Sequence, residues 1–106
     1  MEVRLIKYLL NLDGTEVKDA SGKVATVKGV ILDALLATYK DEMNLSGEEK
    51  VRRWDLALRL NKTSDPCEVS ADEIVLMKNL VGKAYGPLVT GQVWATLEGK
   101  ENAFEK

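Results

Sequence analysis

The sequence predicts an α+β fold: an N-terminal β-hairpin or short antiparallel strands packed on a bundle of about four helices. Three observations carry this. Residues 1–28 hold an apolar run and a β-branched stretch, Val24 to Val27, and are cut twice by turn signals. Residues 29–39 are apolar almost without a break. Two Ser-x-x-Glu signatures, at Ser46 and Ser70, each open a further helical pattern.

Val3 to Leu12 is an apolar run closed by Asp13-Gly14, and a strand is expected at about residues 3–10. Arg4 and Lys7 fall on opposite faces of an ideal strand, so a short helix is the competing assignment. A second turn signal, Asp19 to Gly22, precedes Val24-Ala25-Thr26-Val27. This predicts a strand near 23–27, antiparallel to the first, with a loop or short strand around 15–17. Two strands alone are marginal in water and need helices packed on them.

Gly29 to Tyr39, with only Asp33 strongly polar, reads as a central buried helix. Residues 41–45 form a connector. Ser46 and Glu49 then fit a capping box, opening a helix to about Asn61. Thr63 to Pro66 breaks it, because Pro66 disfavours helix at the residue before it. Cys67 to Val69 reads as a short extended piece. Ser70 and Glu73 form a second capping box for a helix from Ala71 to Tyr85. Gly86 interrupts it, Pro87 suits the first turn of a last helix through Leu97, and Gly99 is a natural stop. The chain thus reads as one domain, 1–106, with a strand and turn part (1–28), a helical part (29–99) and a frayed tail (100–106). It shows no repeat, linker or low-complexity stretch.

Composition excludes more than it specifies. With no histidine, a Ser-His-Asp triad, a Cys-His pair and a histidine proton shuttle are all impossible. One cysteine cannot form an intramolecular disulfide or a structural zinc site. Met1 to Leu12 carries Glu2, Arg4 and Lys7, so no signal peptide is read, and no stretch reaches the ~20 apolar residues of a membrane span. A cytoplasmic protein without membrane attachment is expected. The net charge of −2 gives no global field for nucleic acid.

The helix at 46–62 holds the one basic cluster: Lys50, Arg52, Arg53, Arg59 and Lys62. Phosphate contact is one reading, with Lys50, Arg53, Arg59 and Lys62 as its residues. Intrahelical pairing is the other, and Glu48–Arg52, Glu49–Arg53 and Asp55–Arg59 all have the favourable i,i+4 order. On the helical wheel Lys62, Asp55, Glu48, Arg59 and Arg52 fill a narrow strip. Val51, Trp54 and Leu58 lie on one side of it, and Leu56 and Leu60 on the other. Such a helix is either sandwiched within its own fold or offers one face to a partner or second copy.

The last two helices, joined at Gly86, suggest helix–turn–helix. The final one offers Thr90, Gln92 and Thr96 without a Lys or Arg to hold phosphate, so DNA binding is disfavoured although Gln92 could pair with adenine. Gly82-Lys83 lacks the Walker pattern and lies inside a helix. Asp41-Glu42, Glu48-Glu49 and Asp72-Glu73 sit at connectors or first turns, where helix dipoles favour acids. Cys67 has no cationic sequence neighbour to activate it and reads as a packing residue. No cofactor, metal or catalytic set is expected.

Leu12 to Asp19, Leu45 to Lys50 running into Arg53 to Leu58, Val69 to Ile74, Gly82 to Val89 and Gly91 to Trp94 together carry a resemblance. The chain resembles small proteins encoded in bacteriophage and prophage genomes. That resemblance implies a bacterial-cell setting and a non-enzymatic accessory role, in virion assembly or against a host factor. The expected partner is a protein, with a homodimer as a variant of that reading. Trp54, Leu56, Leu60, Tyr85 and Trp94, together with Tyr39, are the candidate contacts, since aromatics and large aliphatics carry most interface energy.

Overall fold

Val27 opens the helix around which the others are arranged. Helix α1 (Val27–Leu36) buries Val27, Val30, Ile31, Ala34 and Leu35 and packs against each of the three later helices. The structure is a computed structural model and describes residues 1–100. The helix starts two residues earlier than the sequence predicts, because its first amides find acceptors upstream. Val27 N–H donates to the Lys7 carbonyl at 2.9 Å and Lys28 N–H to that of Leu5 at 3.0 Å. The Thr26 hydroxyl accepts from Gly29 N–H at 3.0 Å. It also ends three residues early: Ala37 is extended, and the Tyr39 hydroxyl donates back to the Ala34 carbonyl at 2.7 Å.

Helix α2 (Gly47–Lys62), helix α3 (Ala71–Ala84) and helix α4 (Pro87–Leu97) follow close to their predicted limits. A short 3-10 turn at Lys40–Glu42 occupies the connector before α2. Ser70 and Glu73 make the full capping box, with both reciprocal bonds present. Ser46 caps α2, but the Glu49 carboxylate turns to Arg52 and Arg53 instead of back to the cap. Helix α4 closes on Gly99 at φ 77°, with Gly99 N–H on the Thr96 carbonyl and Lys100 N–H on that of Ala95 at 2.8 Å. This paired closure satisfies the last carbonyls of α4; of the tail expected to fray at 100–106, residues 101–106 lie outside the described residues.

The extended part is built differently from a hairpin of strands 3–10 and 23–27. Strand β1 (Glu2–Val3) pairs antiparallel with strand β2 (Cys67–Glu68), in the register Val3 opposite Cys67. The chain then leaves the ladder at Leu5 and Ile6, whose amides donate to the Asp65 carboxylate at 3.1 and 2.7 Å.

Beyond this, three extended segments meet through single bridges, Tyr8 with Thr26, Leu10 with Glu16, and Lys18 with Val24. At their centre Leu9 N–H donates to Ala25, Ala25 N–H to Val17, and Val17 N–H to Leu9, at 2.9, 2.8 and 2.9 Å. Three residues spaced eight apart thus close a ring in which each donates once and accepts once. The two turns between them share one construction. Gly14 N–H returns to Asn11 and Gly22 N–H to Asp19, with φ 89° and 87° at the glycines. A type I turn ending on a left-handed glycine gives this geometry. An eight-residue turn repeat is therefore present, where the sequence was expected to contain none.

Candidate protein-binding surface

The core takes one side of α2. Leu56, Ala57 and Leu60 join Ile31, Leu35, Met77, Leu80 and Val93 in one buried cluster. Leu56 and Leu60, expected as partner contacts, are 3% and 1% exposed, so that expectation is wrong for both. They sit on the helix face turned toward the core, where each removes apolar area from water within the molecule.

The other apolar side of α2 is not sandwiched. Val51 is 55% exposed and Trp54 54%, with Leu36 of α1 beside Trp54 at 59%. Leu32, Leu36, Trp54, Ala57, Leu58 and Asn61 line a hollow of about 290 Å³ between α1 and α2. A second hollow of about 320 Å³ runs on from Leu36 past Tyr39 to Met43, Leu45 and Lys50. Met43 at its far end is 80% exposed. Leu36 is common to both, so the two adjoin, the first apolar and the second mixed, with Thr38, Glu42, Lys50 and Arg53 in its wall.

The remaining aromatic candidates have intramolecular work. Trp94 is 38% exposed, but its indole N–H donates to the Lys78 carbonyl at 3.1 Å and the Lys78 ammonium lies 5.1 Å from its ring. Tyr85 is half-buried against the core, and burial pushes its hydroxyl pKa up. Tyr39 ties the end of α1 to that of α3, its hydroxyl lying 3.3 Å from the Leu80 carbonyl as well as on Ala34. Trp94 and Tyr85 line neither hollow, whereas Tyr39 stands in the wall of the second.

The basic cluster also comes apart. Arg53 is buried and makes a two-armed bond to Glu42, at 2.6 and 2.8 Å. Its Nε has no hydrogen-bond partner and lies 3.7 Å from a Glu49 oxygen. Lys83 reaches the same Glu42 at 3.0 Å and Asp41 at 3.1 Å. The Arg53 bond, aided by Lys83 and opposed by burial, holds the Glu42 carboxyl down to about 2. Arg59 bonds Glu73 at 2.6 Å, and Arg52 pairs with Glu49, three residues before it. The expected i,i+4 partners Glu48 for Arg52 and Asp55 for Arg59 are thus replaced by Glu49 and Glu73. Arg53 is consumed by the fold and is no phosphate ligand, which corrects its place among the nucleic-acid residues. Lys50 and Lys62 are exposed and, among the described residues, make no ion pair.

Gln92, the adenine-reading candidate, is equally occupied. Its carbonyl accepts from Leu10 N–H at 2.9 Å and its amide donates to the Leu10 and Leu88 carbonyls, each at 2.9 Å. Cys67 is buried in the β1–β2 pair, and burial pushes its thiol pKa up, with the Asp65 carboxylate adding to the shift. A thiol in that environment is a packing group. No group of His, Cys, Asp or Glu is placed to hold a metal ion among the described residues. No helix among them is long and apolar enough to cross a membrane. Compared with known proteins, the chain matches no family model, no curated protein and no solved structure.

The open face of α2 was legible in part. The wheel separates Val51, Trp54 and Leu58 from Leu56 and Leu60, but it does not say which side the core takes. Leu36 and Met43, which extend the surface, were missed. Leu36 sits in the most apolar run of the chain, and Met43 in a connector read only for its charges.

Proposed function

We propose that this chain is a non-enzymatic accessory protein that works by binding another protein, through the outer face of α2 and the adjoining end of α1. The observation that carries the reading is the apolar hollow between α1 and α2, lined by Leu32, Leu36, Trp54 and Leu58, with Val51 exposed on the same outer side of α2 and a second hollow adjoining at Leu36. Contiguous apolar patches on a folded surface mark interaction sites, whereas single exposed residues need no explanation. Trp54 at its centre is the residue type most enriched among interface hot spots. The resemblance to bacteriophage and prophage proteins supports a role in virion assembly or host control, in the bacterial cytoplasm.

The test is a photo-crosslinking amino acid placed at Trp54, with Val75 as the control, since Val75 is equally exposed on another face. In bacterial cells the position-54 probe gives a discrete covalent adduct, which Val51→Asp abolishes and the Val75 probe does not give. The adduct partner, purified, binds the wild-type chain at least about tenfold more tightly than Val51→Asp, a difference of ~1.4 kcal/mol. Adducts that are equal from the two positions, or unaffected by Val51→Asp, overturn the proposal.

A further inference from the structure

The geometry points to a second copy of this chain as an occupant of the α2 face, the two α2 helices lying antiparallel across a two-fold axis. This rests on the reading of that face as a binding surface and names its partner.

Val51, Trp54 and Leu58 stand at i, i+3 and i+7, the spacing of a helix-pairing seam. The seam has two unlike flanks. On one side α1 rises beside Ala57, bringing Leu32 and Leu36 to the edge of the hollow. On the other runs a row spaced by seven, Glu48, Asp55 and Lys62, all exposed. An antiparallel pair sets like flank against like flank. The apolar α1 edge then meets the α1 edge of the other copy, and charged row meets charged row. A parallel pair would lay each charged row over the apolar edge of its neighbour, which is the costly arrangement.

The charged row is self-complementary when reversed. Glu48 of one copy lies across from Lys62 of the other, and the same contact recurs on the far side of the axis, as an isologous interface requires. Neither Glu48 nor Lys62 makes an ion pair among the described residues. Asp55 meets its own copy near the axis, the one unfavourable contact, with Arg52 and Arg59 a turn away on either side. In the same register Leu58 packs beside Trp54 of the other copy. The antiparallel arrangement also opposes the two helix dipoles favourably. A net charge of −2 adds little repulsion between copies. One helix and an adjoining edge give a small interface, below about 1,200 Å² in total, so the dimer belongs to the weak, exchanging class.

Sedimentation equilibrium from about 1 μM to about 1 mM should show a reversible monomer–dimer equilibrium, abolished by Trp54→Asp. Lys62→Glu should weaken the dimer about threefold or more, and Glu48→Lys with Lys62→Glu should restore it. Asp55→Cys should crosslink to its own copy on mild oxidation, while Val75→Cys should not; the native Cys67 is buried and does not interfere. A chain that stays monomeric throughout overturns the inference. A dimer that Trp54→Asp leaves intact, or that does not crosslink through Asp55→Cys, overturns it too. A monomer that still yields a heavier, foreign adduct from position 54 sinks self-pairing alone and leaves the protein-binding reading standing.

Discussion

Glu42 shows how much a single connector residue can organise. It receives both arms of Arg53 from α2 and the ammonium of Lys83 from α3, so it joins the helix that follows it to one 41 residues away. Its carboxyl is lowered from 4.5 to about 2, so the folded state binds this proton less readily than the unfolded chain. The stabilisation is complete above pH 4.5 and is lost as pH falls towards 2. Urea denaturation across that window should show stability dropping with acid, and a shallower drop in Glu42→Gln. Some dependence should remain in that variant, because the hydrogen bond from Lys78 also holds Glu98 below its ordinary value. Gln92 makes a comparable join between α4 and the extended part. Gln92→Leu leaves the Leu10 N–H and carbonyl without their side-chain partners and should cost about 1–3 kcal/mol in the same denaturation assay. Both residues were legible as polar positions, but neither partner lies near in sequence. Arg53 and Gln92 were read for nucleic acid because the chain alone does not reveal a contact at 11 or 82 residues' separation.

At the scale of elements, local chemistry was easy to read and pairing was not. The helix limits follow from Ser46, Ser70, Pro87 and Gly99, each acting on its own turn of backbone. Ser70→Ala should cost about 1 kcal/mol by thermal or urea denaturation, since it removes the hydroxyl that accepts from Glu73 N–H and leaves only the bond from the backbone N–H of residue 70 to the Glu73 carboxylate. The extended segments obey a different rule. Their turn signals were visible, yet each segment offers only one or two residues for pairing, too few for alternation to set a register. What fixes the arrangement is the shared turn. A Cβ at Gly14 or Gly22 meets nothing within 4 Å, so alanine there is opposed only by the left-handed backbone. Gly14→Ala and Gly22→Ala should each destabilise by about 1–2 kcal/mol. Gly91→Ala, in the exposed middle of α4 with open space around it, should instead stabilise by about 0.5–1 kcal/mol.

For the whole molecule, the α+β architecture and the order of helices could be argued from the sequence because they depend on periodicity and punctuation. The sidedness of α2 could not, since two apolar faces compete for one core and only packing against α1 decides between them. The consequence is open to a simple check: Val51→Asp should change the free energy of unfolding by no more than about 0.5 kcal/mol in a thermal melt, whereas Leu60→Asp should prevent stable folding. The ring of Leu9, Val17 and Ala25 bears on how copies of the chain can meet at all. Small sheets commonly offer an outer strand whose unpaired amides and carbonyls template the addition of another chain. Here the central amides and carbonyls of three segments are spent on one another in a cycle. With no beginning or end to that cycle, the backbone there offers a newcomer no row to extend. Association by strand addition is closed off at these three positions, which leaves side-chain packing as the way another chain can meet them.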